Sequence, residues 1–215
     1  TPLTASAAAV GSEANGELGV DMGALRLDTA AGNLHFDYND SGSIVTHNLT
    51  TQLDNTVVVK QASDLSGVLD STKTYLLDGV IDMGTQSITV PTTGLTIIGN
   101  SFDVSGLVST AAAYTMFISE SIVIGSGNLL MQDLKLTASG AGSKVYELYD
   151  ATGFNAFELA RVNYIDCTSL GDLYDYRQGF EGGTGRFGGT PTMTLHGIWL
   201  GGFRVTTSIV RSLAA

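Results

Sequence analysis

The sequence predicts an all-β chain in which a parallel β-helix, or solenoid, follows an extended β-rich N-terminal arm. Three observations carry this. A short strand–break–strand unit recurs: Leu95-Thr96-Ile97-Ile98 then Phe102-Asp103-Val104, and Leu129-Leu130-Met131 then Leu134-Lys135-Leu136. It returns as Phe157-Glu158-Leu159 then Val162-Asn163-Tyr164-Ile165, and as Leu195-His196-Gly197-Ile198-Trp199 then Phe203-Arg204-Val205. The copies start roughly thirty to forty residues apart, a period that marks stacked repeats. Second, no segment after residue 75 carries a 3.6-residue apolar period. Parallel strands ordinarily need helical crossovers, whereas a solenoid pairs each coil with the next without them. Third, apolar residues make up 43 % of the chain and charged residues only 14 %, so much of it must lie inside stacked coils or against other subunits.

The elements follow in order. The chain has 215 residues, room for one large or two small domains. Residues 1–55 hold seven acidic residues and one basic residue, Arg26, and few large apolar side chains. Short strand-like pieces (Glu17-Leu18-Gly19-Val20, Ala24-Leu25-Arg26-Leu27, Asn33-Leu34-His35-Phe36) alternate with turns, and Asp40-Ser41-Gly42-Ser43 signals a turn before Ile44-Val45. This reads as an attachment or oligomerisation arm. Residues 56–215 form the second unit. Thr56-Val57-Val58-Val59-Lys60 is a β-branched strand. Residues 61–70 predict one short helix, with Ser63 as N-cap and Leu65, Val68 and Leu69 on one face, closing the first coil. The coils then begin with Thr74-Tyr75-Leu76-Leu77-Asp78-Gly79-Val80-Ile81, Ser87-Ile88-Thr89-Val90 and Leu95-Thr96-Ile97-Ile98, three strands with tight corners between them. The last copy, from Met193 to Val210, is apolar and carries no cap signal, and the chain starts without Met. Both features suggest a longer protein or a neighbouring chain. Residues 1–10 have no basic start and do not make a clean signal peptide.

Charge and composition narrow the partners. Lys and Arg total 10 against 21 Asp and Glu, a net charge of −11, with no basic cluster. Phosphate-backbone binding needs such clusters, so nucleic acid is not an expected partner, and anionic membranes are disfavoured. No run of eighteen apolar residues is present, so no membrane insertion is expected. Cys167 is the only cysteine, which rules out an intrachain disulfide. In its apolar strand-like run it reads as a buried structural thiol, since His35, His47 and His196 stand in no motif that would make one of them its base.

The segment Tyr75-Leu76-Leu77-Asp78-Gly79-Val80-Ile81-Asp82-Met83-Gly84, with Ile88-Thr89-Val90 and Leu95-Thr96-Ile97-Ile98-Gly99, resembles the pectate-lyase-like right-handed parallel β-helix of bacteriophage tailspikes and tail fibres. The stretches 157–167 and 174–207 share the likeness. Gly16-Glu17-Leu18-Gly19-Val20-Asp21 and Gly32-Asn33-Leu34-His35-Phe36 resemble attachment segments of phage tail proteins. The resemblance covers about three quarters of the chain. It implies a homotrimer on a virion tail, outside the host cell, bound to other tail proteins through the arm, with host surface glycan as a candidate partner.

Candidate chemistry is sparse. Gly183-Thr184-Gly185-Arg186-Phe187-Gly188 matches the dinucleotide pattern, but Gly189-Thr190-Pro191-Thr192 cannot start the helix that the pyrophosphate requires, so it reads as a corner loop. No zinc spacing and no calcium loop occurs, and no cofactor or metal is expected. Asn39-Asp40-Ser41 and Asn48-Leu49-Thr50 fit the glycosylation pattern without further support. His196, between Leu195 and Gly197, reads as a structural histidine. Many phage tailspikes cleave polysaccharide with a pair of carboxylates, one acid and one base or nucleophile. The local cluster that could do so is Asp172, Asp175 and Glu181. Tyr174, Tyr176 and Arg177 beside it would bind carbohydrate through aromatic faces and hydrogen bonds. The bland reading of the same cluster is a solvated loop between coils. Asp133, Glu158 and Asp166 lie in strand units, where they face solvent or bond turn amides. Three functions therefore stand: a non-enzymatic component of a tail fibre or tailspike, a polysaccharide depolymerase (glycoside hydrolase) of the same architecture, and an adhesin that binds glycan without cleaving it.

Overall fold

The computed structural model describes the backbone of residues 24–28, 33–40, 43–48, 55–182, 186–187, 191–197, 202–205 and 209–210, and the side chains of 55–180, 191–197 and 202. The chain divides into two units, Thr1–Thr56 and Val57–Ala215. In the first, β1 (Ala24–Asp28), β2 (Asn33–Asp40) and β3 (Ser43–Asn48) form an antiparallel meander. Asp40 pairs with Ser43, so the strands meet where the sequence places a turn. Glu17-Leu18-Gly19-Val20 lies outside the described residues.

The second unit is a parallel β-solenoid of about four turns. After β4 (Thr56–Val59), the first coil runs through β5 (Thr74–Leu77), β6 (Val80–Asp82) and β7 (Ile88–Val90). The next contains β8 (Leu95–Gly99), β9 (Gly106–Ser109) and β10 (Thr115–Ser119). Then β11 (Leu129–Ala138) spans two faces before β12 (Lys144–Tyr149), and β13 (Ala156–Tyr164) does the same before β14 (Gly171–Tyr174). The last described strands are β15 (Gln178–Gly182), β16 (Arg186–Phe187), β17 (Met193–His196), β18 (Gly202–Val205) and β19 (Ile209–Val210). Every described pairing between coils is parallel. On the first face Thr74, Thr96, Leu130, Glu158, Phe180 and Arg204 stand in register. The third face is β7, β10, β12, β14 and β17.

Register makes the core. Tyr75, Ile97, Met131 and Leu159 form one inward row, and Leu95, Leu129 and Phe157 another. Ile81, Leu107, Leu136 and Tyr164 line the second face, and Ile88, Phe117 and Tyr146 the third. All of these are buried. Alternate residues point outward, as a pleated strand requires. Tyr146 lies at the centre. Its ring stacks on Phe117 (5.6 Å) and meets Phe157 edge-on (5.0 Å), and its hydroxyl is 2.9 Å from that of Tyr164. Where β11 and β13 pass from the first face to the second, Asp133 and Arg161 both adopt φ of 56°. These left-handed residues bend each strand without ending it.

Three expectations are corrected. The helix over 61–70 is only a 3-10 turn, Ala62–Leu65, with Gln61 rather than Ser63 at its N-cap. The carboxylate of Asp64 accepts the backbone N–H of Lys60 (2.8 Å) and of Gln61 (3.2 Å), and Gly67 leaves the helical region with φ of +72°. Leu65 and Leu69 are buried while Val68 is fully exposed, so the three share no face. Second, Phe102-Asp103-Val104 is a turn. Ser101 accepts the N–H of Asp103 through its hydroxyl and that of Val104 through its carbonyl, and the strand begins at Gly106. Third, the period is shorter and more variable than thirty to forty: 22 residues from Thr74 to Thr96, 34 from Leu95 to Leu129 and 28 from Leu129 to Phe157. Corner loops absorb the difference.

Candidate functional site

The sequence cluster around Asp172 is built on the outside of the third face. Asp172 stands in β14 between Glu147 of the coil before and Thr194 of the coil after. Lys144 Nζ donates to Asp172 Oδ2 at 2.9 Å and lies 3.8 Å from Glu147 Oε2. His196 Nε2 is 3.1 Å from Asp172 Oδ1. The hydrogen bond from Lys144, then that from His196, holds the Asp172 carboxyl below the ordinary carboxylate range. Asp172 in turn raises Lys144. An acid held toward its ionised form is a poor proton donor, and proton donation is what glycosidic cleavage requires of one member of the pair. The network joins three successive coils. Its energetic worth is small because Lys144 is 36 % exposed, in the range of about 0–1 kcal/mol for such pairs.

The same surface carries a ladder of parallel rings. Tyr149 stacks on Tyr174 with centroids 4.2 Å apart, and Tyr174 on His196 at 4.1 Å, with interplanar angles of 6° and 8°. Desolvation, then the hydrogen bond with Tyr174, pushes the Tyr149 hydroxyl up to about 12. Both faces of Tyr174 are therefore occupied by protein. It offers only an edge to solvent, so the sugar-stacking role expected of it has no free ring face to use.

The remaining members of the cluster separate. Asp175 turns the corner with φ of 60°, and its N–H donates to the His196 carbonyl at 3.0 Å. Its carboxyl lies over Gly197, where an added Cβ would fall 1.7 Å from Oδ1, and the φ of +83° at Gly197 favours glycine. Beyond that corner Tyr176 points inward. It is fully buried, its hydroxyl is 2.7 Å from Ser126 Oγ, and burial raises its ionisation well above the usual phenol range. The carbohydrate-binding role expected for Tyr176 is corrected: it is a core residue. Arg177 is exposed, and its backbone N–H donates to Asn155. Glu181 occupies the register position between Leu159 and Val205 in β15, and its side chain lies outside the described residues. Asp172 and Asp175 thus stand on an outer face and at a corner, and the Glu181 backbone belongs to the first-face strand of the next coil.

Other candidates also acquire partners. Asp133 accepts two hydrogen bonds from the guanidinium of Arg161, from Nε and Nη2, which hold its carboxyl below the ordinary range. Asp166 is exposed at a left-handed bend. Cys167 is buried, and burial pushes its thiol up to about 11, the opposite of an activated nucleophile. Within the Gly-rich segment, Arg186–Phe187 forms a strand paired with Tyr164; the rest lies outside the described residues. Among the described residues no group of three His, Cys, Asp or Glu could hold a metal ion, and no helix is long and apolar enough to cross a membrane. The ring ladder and the Lys144–Asp172–His196 network escape sequence reading because their members come from different coils. Comparison with known protein families, curated proteins and solved structures gives no match.

Proposed function

We propose that this chain is a non-enzymatic structural component of a bacteriophage tail fibre or tailspike. It acts as a homotrimer on the virion tail, attached to other tail proteins through its N-terminal arm and presenting its solenoid to the host surface. The observation that carries the reading is the dispersal of the carboxylates. Asp172 is held by Lys144 and His196 and Asp133 by Arg161, Asp175 stands exposed at a corner, and Glu147, beside Asp172 in register, shares the same Lys144, so the paired carboxylates of this face are engaged by cations rather than set as an acid and a base. Polar side chains here serve to tie one coil to the next, which suits a rod that bears load. The resemblance of residues 74–100 to tailspike coils supports the same assignment.

Sedimentation of the purified chain tests the assembly, and antibody labelling of virions tests the location. A trimer in solution and label on the tail are expected. A stable monomer absent from virions would overturn the proposal. Incubation with host capsule or lipopolysaccharide followed by a reducing-end assay tests the chemistry: release of ends abolished by Asp172→Asn would replace the structural reading with the depolymerase.

A further inference from the structure

One carboxylate on the described surface is placed unlike the others. Glu158 stands in the outward row of the first face, with Leu130 on the strand before and Phe180 on the strand after. Parallel strands lie about 4.8 Å apart, so its neighbours in both directions are apolar side chains. Glu158 is half-buried, yet its carboxylate has no hydrogen bond or ion pair among the described residues. The other half-buried or buried acids among the described residues, Asp64, Asp133, Glu147, Asp150 and Asp172, all have protein partners. A carboxylate partly removed from water without a counter-charge is costly to keep.

Glu158 also lies where two depressions meet. One, of about 300 Å³, is lined by Ser71, Thr93, Thr96 and Asn128. The other, of about 150 Å³, is mostly apolar and ends at Phe180, which is 39 % exposed. Leu130 and Glu158 border both, and among the described residues no Lys or Arg lines either. We propose that this groove binds a small organic cation, with an ammonium group at Glu158 and a carbon stem along Leu130 and Phe180. The carboxylate supplies charge and acceptor oxygens, the neighbouring hydroxyls supply further acceptors, and an exposed aromatic ring one strand away adds cation–π attraction. The net charge of −11 favours cations over anions in the approach to the surface. A metal ion fits less well, since hard divalent cations take several oxygen ligands and here one carboxylate is present. A neutral polyol would leave the charge unmatched.

The test is titration of the full chain with spermidine and with n-butylammonium, followed by NMR at residues near Glu158 and Phe180. Magnesium ion serves as a charge-only control, and butanol and methyl glucoside as neutral ones. Saturable shifts are expected with both amines and not with the controls. Glu158→Gln should weaken amine binding about tenfold or more, and Phe180→Leu about threefold, with circular dichroism unchanged. Absence of saturable shifts, equal response to magnesium, equal affinity in Glu158→Gln, or binding of methyl glucoside instead would each overturn the inference. None of these results bears on trimer formation or tail location.

Discussion

Two phenylalanines three residues apart give the sharpest test of the stacked-coil core. Phe157 is fully buried, while Phe154 is 75 % exposed in the corner loop just before it. The Phe157 ring meets Tyr146 edge-on at 5.0 Å and Tyr176 at 6.2 Å, and Leu129 lies beneath it in register. Its register partner on the other side is Gly179, which has no side chain that could move into the space left by a missing ring. Truncation to alanine in such a core costs about 3–5 kcal/mol, of which each aromatic contact carries about 0.5–1.5. The glycine neighbour places Phe157→Ala toward the upper part of that range, at about 4 kcal/mol. With a urea slope of about 2–3 kcal/mol per molar, the unfolding midpoint falls by roughly 1.3–2 M. Phe154→Ala, the same chemical change on the surface, should stay within about 0.5 kcal/mol. Hydrogen exchange should show the loss of protection first in β11, β13 and β15, because a solenoid coil interacts only with its neighbours. Equal effects of the two substitutions, or a cost below about 1 kcal/mol for Phe157→Ala, would refute the argument.

Three further outcomes follow. Asp150 is buried and accepts hydrogen bonds from Thr152 N and Oγ1 and from Asn155 N and Nδ2. Burial raises its ionisation, but these bonds together outweigh it and leave the folded carboxyl below its ordinary value. Its stabilising contribution is therefore full above the unfolded pKa of about 3.9 and disappears as pH falls through the lower folded value. Asp150→Ala should cost about 2–3 kcal/mol at neutral pH and flatten the acid limb of a stability–pH curve measured by denaturation; an unchanged limb would contradict this. Gly171 has φ of +91°, and a Cβ there would lie 1.9 Å from the Tyr146 carbonyl oxygen. Gly171→Ala should cost more than about 3 kcal/mol and lower the thermal midpoint by roughly 6–12 °C, and a midpoint within about 2 °C of the parent would count against that packing. Cys167 should react with an aromatic disulfide reagent only on unfolding, and rapid labelling of the native chain would show that the thiol is not buried as described.

Legibility in the sequence tracked locality. The strands around Leu95, Leu129 and Phe157 were readable because each is a short apolar run followed by a break, a property of one stretch of sequence alone. The strand at Gly106–Ser109 was not: it opens on glycine, and its place is set by pairing with Val80–Asp82 of the previous coil. Phe102 and Val104 mimic strand alternation, but Ser101 turns the backbone there with its hydroxyl and carbonyl. The same distinction governs the candidate site. Tyr174 and Tyr176, two residues apart, would share a face in an uninterrupted strand. The left-handed conformation of Asp175 between them sends one ring outward and the other into the core.

What joins the outer surface is register between coils. Tyr149, Tyr174 and His196 are separated by 25 and then 22 residues, and Glu158 meets Leu130 and Phe180 at offsets of 28 and 22. Since corner loops vary the length of each coil, no fixed spacing in the sequence marks these neighbours. One inserted residue in a corner loop can be absorbed there, whereas one inserted within β13 would move Glu158 off its outward row and place an alternate residue there. Corner loops are thus free to change while strand interiors are not. A surface feature that spans several coils, such as the ring ladder or the Glu158 groove, survives only where each strand keeps its register with the next.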